Sequence, residues 1–140
     1  MAGELKKPRI LIFGTFDILH PGHLHIIKKA AMLGELYVAV ARDETVKKIK
    51  GRYPVNSELE RKKTLESLNI ATQVVLGKKG NKFEIIKEIK PNIICIGYDQ
   101  KSFVDALPEE LKKMHLDCKI VKIDSFEPDK YKSSKMRENT

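Results

Sequence analysis

The sequence predicts one α/β domain, a Rossmann-like doubly wound parallel sheet of about five strands with flanking helices. Two observations lead to this class. Short apolar, β-branched runs alternate with segments whose apolar residues recur at helical spacing. One run, residues 92–96, is nearly all apolar, as are strands buried on both faces of a parallel sheet. We expect a single domain over residues 1–140, with flexible ends at 1–8 and 137–140.

The first half of the chain alternates strands with helices that have recognisable starts. Residues 9–13 and 36–41 are apolar runs that predict two strands, with a first helix between them. Asp43 is placed to cap a short second helix. Ser57 and Glu60 form a capping-box pattern, which predicts a third helix through Leu68.

The second half continues the alternation. Strands are predicted at 72–76, 92–96 and 119–123, and a helix through 83–89 is ended by Pro91. Pro108 is expected to start the last helix, because proline suits the first helical position. Ligands of doubly wound sheets bind beyond the carboxyl ends of the strands.

Composition describes a soluble globular protein, with 41% hydrophobic and 33% charged residues. No apolar run approaches the roughly 20 residues that span a membrane, and the N-terminus lacks a signal-peptide core. We therefore expect a cytosolic protein. A net charge of +8 favours anionic ligands, but the lysines are scattered and no Trp is present, which disfavours nucleic acid.

Two cysteines, Cys95 and Cys118, lie in or near apolar runs. Their spacing is not that of a metal site, and their number suits a reducing compartment. We predict that both are packing residues.

The stretch Gly-Thr-Phe-Asp-Ile-Leu-His-Pro-Gly-His, residues 14–23, joins the first strand to the first helix. Its proline puts His20 at the helix entrance and His23 in the first turn. A helix N-terminus attracts phosphate, and two imidazoles there can donate hydrogen bonds to phosphoryl oxygens. Gly14 and Gly22 would let phosphate approach the backbone. Two capping histidines without a ligand, or a metal site, are the alternatives that His-x-x-His alone leaves open.

The full ten-residue string resembles the signature of nucleotidyltransferases related to glycerol-3-phosphate cytidylyltransferase. That signature reads Gly-Thr-Phe-Asp, two residues, then His-x-Gly-His. The resemblance implies in-line attack of a substrate phosphate on the α-phosphate of a nucleoside triphosphate, with release of pyrophosphate. It implies that His20 and His23 are catalytic and that the whole matched set binds nucleotide. The other members of the set are Gly14, Thr15, Phe16, Asp17 and Gly22.

The resemblance also implies basic contacts to the triphosphate. The family has a basic segment after the second strand, and Lys50 is our preferred candidate there. Its neighbours Lys47, Lys48 and Arg52 stay open, as does a simple solvated lysine face. Arg61 matches an arginine that the family places near the nucleotide phosphates, although an ordinary surface arginine would also fit.

Two later segments are implied to complete the nucleotide site. The family places the loop containing Asp99 and Gln100 beside the base and ribose, although a turn before a helix would also explain it. Residues 131–136 resemble a C-terminal Ser-Thr-Thr-Lys-Ile block whose hydroxyls hold the triphosphate. Ser133 and Ser134 match this block, whereas Lys132 replaces its usual first Ser. A frayed C-terminus is the alternative.

Within the superfamily, residues 41–46, 50–52, 89–91 and 97–100 look most like those of the archaeal FAD synthases, which are single-domain FMN adenylyltransferases. This resemblance implies ATP as donor, the FMN phosphate as nucleophile, a divalent metal, commonly Mg²⁺, on the triphosphate, and a homodimer. Three alternatives stay open: a CTP-dependent glycerol-3-phosphate or related alcohol-phosphate cytidylyltransferase, a sugar-phosphate nucleotidyltransferase, and a non-catalytic nucleotide- or RNA-binding module.

Overall fold

A computed structural model describes residues 7–81, 83–96 and 101–123. Five strands and five helices follow one another in this part of the chain, alternating except where α2 and α3 are consecutive. The strands are β1 (Arg9–Gly14), β2 (Glu35–Val40), β3 (Gln73–Leu76), β4 (Ile93–Ile96) and β5 (Lys119–Lys122). The helices are α1 (Pro21–Ala31), α2 (Asp43–Lys50), α3 (Glu58–Ser67), α4 (Glu84–Ile89) and α5 (Lys101–Lys113). The strands form one parallel sheet in the order β3-β2-β1-β4-β5, so the predicted fold class is confirmed.

Strand β1 is the centre of the sheet. It pairs with β2 on one side and with β4 on the other, and Ile10, Leu11 and Ile12 are buried. Because successive side chains point to opposite faces, an unbroken apolar run requires cover on both faces. Pro8, which we assigned to a flexible end, accepts a hydrogen bond from the Glu35 N–H at 2.8 Å.

Two apolar clusters cover the two faces. One joins Ile12 and Val38 of the sheet to Ile27 of α1 and Leu65 of α3. The other cluster joins the opposite face to α4 and α5; its buried members are Leu11, Ala39, Phe83, Ile85, Ile86, Ile89, Ile94, Ile96, Leu107 and Leu111. The strand order reverses around β1, so the loop that follows β1 lies at the switch point where ligands of such sheets bind.

The capping box of α3 is confirmed. The Ser57 hydroxyl accepts from the Glu60 N–H at 3.2 Å, and the Ser57 N–H donates to the Glu60 carboxylate at 2.9 Å. Asp43 differs from the prediction, because it is the first residue of α2 and Arg42 is the N-cap. The Asp43 N–H instead donates to Oε1 of Glu58 at 2.8 Å, so a carboxylate from the next helix satisfies this terminus.

The predicted start of the last helix is wrong, since α5 begins at Lys101 and Pro108 lies inside it. Proline in a helix interior costs about 3 kcal/mol. Leu107 and Leu111 are one turn apart and both buried in the second cluster, and burying a leucine contributes roughly 1.5–3 kcal/mol. Packing of these two side chains therefore offsets the cost. No helix among the described residues is long and apolar enough to cross a membrane.

The two cysteines pack on opposite faces of the sheet. Cys95 belongs to the first apolar cluster and Cys118 packs against the second, and both are free thiols. Burial raises the pKa of each thiol to about 11. Their placement agrees with the predicted packing role.

Candidate active site

The loop after β1 delivers two histidines to the start of α1. His20 is the N-cap of that helix, with the extended backbone (φ −137°, ψ 171°) expected before Pro21. Its Nδ1 accepts a hydrogen bond from the Gly22 N–H at 3.1 Å. A neutral His20 ring therefore carries its proton on Nε2. Because His20 is exposed, this N–H is available to an oxygen atom of a ligand.

The two imidazoles stack. The ring centroids of His20 and His23 are 3.8 Å apart, with 22° between the ring planes. His23 is half-buried, and its other neighbour is Phe16, whose ring centroid lies 5.5 Å away in an edge-to-face arrangement at 70°. The pair is thus supported from the protein side and open on the His20 side.

Phe16 explains the glycine at the end of β1. Phe16 is 7% exposed and has a left-handed backbone (φ 52°), which is uncommon for an aromatic residue. A Cβ at Gly14 would lie 2.5 Å from Cε2 of that ring. We expected the missing side chain at Gly14 to admit phosphate, but the structure gives this space to Phe16. Gly14 is therefore required for the packing that supports His23.

Asp17 ties the loop to the segment before α3. Its Oδ2 accepts from the Val55 N–H at 2.8 Å and its Oδ1 from the Asn56 N–H at 2.8 Å. The Asn56 side-chain amide donates to the Asp17 carbonyl at 2.6 Å. Burial acts to raise the pKa of the Asp17 carboxyl, but these hydrogen bonds and the charge of Arg61 outweigh it and lower the pKa. Both carboxylate oxygens are thus used within the protein.

Arg61 is buried beneath the loop, at 1% exposure. Its Nε donates to the Asn56 carbonyl at 2.9 Å, its Nη1 to the Thr15 carbonyl at 2.8 Å, and its Nη2 to Oδ1 of Asp43 at 2.6 Å. The predicted contact of Arg61 with phosphate would require the guanidinium to leave these partners.

A second polar network continues to β3. Arg42 donates through Nε to the Gly77 carbonyl at 2.7 Å and pairs through Nη1 with Glu58 at 3.0 Å. The other oxygen of Glu58 accepts the Asp43 N–H, so the segments that follow β2 and β3 are joined to the start of α3. Sequence reasoning gave no site role to Arg42, Asn56 and Glu58, because their partners lie on other elements, 15 to 39 residues away along the chain.

The lysines of α2 are on the surface. Lys50 is the last residue of α2, about 10 Å along the helix axis from Asp43, and its ammonium group forms no hydrogen bond or ion pair with another described residue. Lys47 donates to the Gly51 carbonyl at 3.3 Å and lies 5.7 Å from the Tyr53 ring centroid. Lys48 and Arg52 are exposed. The structure therefore does not pair Lys50 with the histidines.

The family of this chain is shown by its match to a protein-family model. The model described as "Cytidylyltransferase-like" matches residues 11–139. This chain belongs to the cytidylyltransferase-like family. The resemblance stated from the ten-residue signature is thereby confirmed.

Several relatives of this cytidylyltransferase-like protein carry the name FAD synthase. That of Thermococcus sibiricus is 45% identical over 134 residues, covering 94% of this chain and 90% of its own. That of Pyrococcus horikoshii is 40% identical and covers 97% and 94%. Among solved structures, the lipopolysaccharide core biosynthesis protein of Thermoplasma volcanium superposes with a TM-score of 0.80 at 37% identity, covering 86% of this chain and 98% of its own.

A more distant solved structure shares the fold alone. Pantothenate synthetase of Thermus thermophilus superposes with a TM-score of 0.61 at 13% identity, covering 87% of this chain and 57% of its own.

Four predicted site residues of this cytidylyltransferase-like chain lie outside the described residues. They are Asp99, Gln100, Ser133 and Ser134. Their assignments stay predictions.

The described side chains do not fit a resident metal ion. Both oxygens of Asp17 accept N–H groups, and Nδ1 of His20 accepts from Gly22. Over residues 7–81, 83–96 and 101–123, no three His, Cys, Asp or Glu side chains are grouped as a metal would need.

Proposed function

We propose that this protein is an FAD synthase, which transfers the AMP group of ATP to the phosphate of FMN and releases pyrophosphate. The observation that carries the proposal is the identity of 40–46% with archaeal proteins named FAD synthase, over most of both chains. The His20 and His23 pair supports the proposal, because the two rings stack at the start of α1, where a helix N-terminus attracts phosphate.

The reaction needs no general base. A phosphate monoester such as FMN is already ionised near neutral pH. One of its oxygens attacks the α-phosphorus of ATP, and a new P–O bond forms. The bond from that phosphorus to the oxygen bridging to the β-phosphorus breaks, and the electron pair leaves with pyrophosphate. Catalysis then consists of positioning and charge stabilisation.

The histidines supply donors where negative charge grows. In this proposal the Nε2–H of His20, the imidazole of His23 stacked on it and the positive end of α1 stabilise oxygens of the reacting phosphates. Removing one preorganised donor of this kind costs about 100- to 1,000-fold in rate. Phe16 keeps His23 in place.

Further contacts belong to this proposal. Lys50 is exposed and without an ion pair among the described residues, so its charge is available to the triphosphate, with a divalent metal such as Mg²⁺ arriving on ATP as part of the substrate. Asp99 and Gln100 are proposed beside the base, and Ser133 and Ser134 beside the triphosphate, on the strength of the sequence alone.

The test is pyrophosphate release with Mg²⁺ under reducing conditions, with ATP or CTP paired with FMN or glycerol 3-phosphate. We expect turnover with ATP plus FMN. The family name favours CTP as the second candidate donor, and turnover only with CTP would overturn the FAD synthase proposal.

The mechanism is tested by His23→Ala. Because the imidazole acts on the transition state, kcat should fall about 100-fold or more while the Kd for ATP changes little. His25→Ala, on the same helix and outside the site, is the matched control and should keep its rate. Undiminished turnover in His23→Ala would contradict the mechanism. If the wild-type protein binds ATP but releases no pyrophosphate, it is a binding module.

We also propose a homodimer, as the sequence resemblance implies. Sedimentation equilibrium should then give about twice the chain mass of 16.0 kDa. A mass of one chain at micromolar concentration would contradict it.

A further inference from the structure

The buried guanidinium of Arg61 has a role that the sequence did not indicate. Arg61 is on α3, yet its three donor atoms contact three other places in the chain: Thr15 after β1, Asp43 at the start of α2, and Asn56 before α3. Two of the acceptors are main-chain carbonyls. Asp43 forms an ion pair with the guanidinium at 2.6 Å. Each of the three guanidinium nitrogens therefore donates to a different segment of the protein.

The contacts of Arg61 lie next to the hydrogen bonds that Asp17 accepts from Val55 and Asn56, which we call the clamp. Asp17 binds the N–H groups of Val55 and Asn56, while Arg61 binds the carbonyls of Thr15 and Asn56. The loop after β1 and the segment before α3, which are about 40 residues apart in the sequence, are thus joined by hydrogen bonds in both directions. The next residue after Thr15 is Phe16, whose ring supports His23.

We propose that Arg61 is a positioning residue of the active site, which sets the loop carrying the two histidines and couples it to the start of α2, and that it does not bind phosphate. The proposal rests on the proposed function for its kinetic consequences. It replaces the phosphate contact that the sequence resemblance implied.

The chemistry explains why arginine stands here. Three acceptors from three segments require donors that diverge in one plane, and the guanidinium fork provides them. A lysine has one ammonium on a flexible stem, so it can keep the charge near Asp43 while losing the other two segments. Arg61→Lys therefore tests whether a positive charge near Asp43 is sufficient or whether the three divergent donors of the guanidinium are required.

The kinetic test compares Arg61→Lys, Asp43→Asn and the double variant with Lys62→Gln. Lys62 neighbours Arg61 but pairs on the surface with Glu66 at 2.7 Å, so it is the matched control. Small displacements at a reacting centre cost about 10- to 100-fold in rate, so we expect that loss of kcat in both single variants, with KM for ATP within about threefold. The double variant should be worse than either single variant, because Arg61→Lys loses the contacts to Thr15 and Asn56 whereas Asp43→Asn removes the ion pair with Asp43.

A phosphate ligand would behave differently. If Arg61 bound ATP directly, Asp43→Asn would remove the ion pair that competes with ATP, and the affinity for ATP would rise by more than about threefold with little loss of kcat. Arg61→Lys would then raise KM for ATP with little loss of kcat. Either result would overturn the positioning role. Asp43 is partly exposed, so its variant keeps the test sound should Arg61→Lys fold poorly, which circular dichroism would show.

A readout without substrate separates this proposal from the proposed function. Amide hydrogen exchange of Val55 and Asn56, measured in the free protein by NMR, reports the clamp itself. Both single variants should exchange at least about tenfold faster at these amides, and Lys62→Gln should not. Unchanged exchange in both variants would overturn the proposal, even for a protein that makes no FAD.

Discussion

Replacing Gly14 with Ala should damage the site through Phe16, without touching either histidine. The new methyl carbon would lie 2.5 Å and 2.6 Å from two carbons of the Phe16 ring. Contacts between carbon atoms are normally 3.5–4.0 Å, so the ring must move by about 1 Å. Gly14 has no left-handed backbone angle, so space alone decides the outcome.

The size of the effect follows from that displacement. Overpacking a well-filled region costs about 1–3 kcal/mol in the free energy of unfolding. Because the Phe16 ring supports His23 from 5.5 Å, a shift of about 1 Å should also lower kcat, by up to about 100-fold. Urea unfolding followed by circular dichroism gives the first quantity, and pyrophosphate release gives the second.

The double variant Gly14→Ala, Phe16→Ala tests the cause. Without the ring the methyl group has room, so the double variant should be more stable than the sum of the single changes by about 1–2 kcal/mol. Gly80→Ala is the control, since nothing lies near its Cβ position and its φ of +83° costs stability alone. The reasoning is refuted if Gly14→Ala stays within about 0.5 kcal/mol of the wild type with its full rate.

Three other experiments test the hydrogen bonds of Asp17, the placement of the two cysteines and the proline inside α5. Asp17→Asn should cost about 1–3 kcal/mol at neutral pH. Because the native pKa of Asp17 lies below 3.8, this difference should persist above that value and vanish as pH falls through the lower native pKa, as urea unfolding across pH would show. Iodoacetamide should modify native Cys95 and Cys118 slowly at pH 8, because Cys95 is buried, Cys118 is half-buried and burial raises the pKa of both thiols to about 11; rapid labelling of Cys95 would contradict its burial. Pro108→Ala should stabilise the fold by about 1–3 kcal/mol, by restoring a helical N–H, and a lower melting temperature would count against that account of α5.

Features that depend on near neighbours were predictable. Ser57 and Glu60, which form the capping box, are three residues apart. The position of His20 at the helix entrance follows from Pro21, which is the next residue. Alternating apolar runs likewise predicted the doubly wound sheet, because burial on two faces leaves a pattern in each strand. Pro108 misled the prediction, because its local preference was outweighed by burial of Leu107 and Leu111.

The sequence by itself determined the family, the parallel sheet, and the two histidines at the start of α1. The tertiary structure decided what holds them. Asp17 and Asn56 are 39 residues apart, and Arg61 and Thr15 are 46 apart, so no local pattern links either pair. Whether an arginine faces a ligand or a carbonyl depends on which segments the sheet brings together. Packing across the whole domain decides which partners Arg61 has. A buried charged group is stable only when it is paired and hydrogen-bonded, and these partners come from distant parts of the chain.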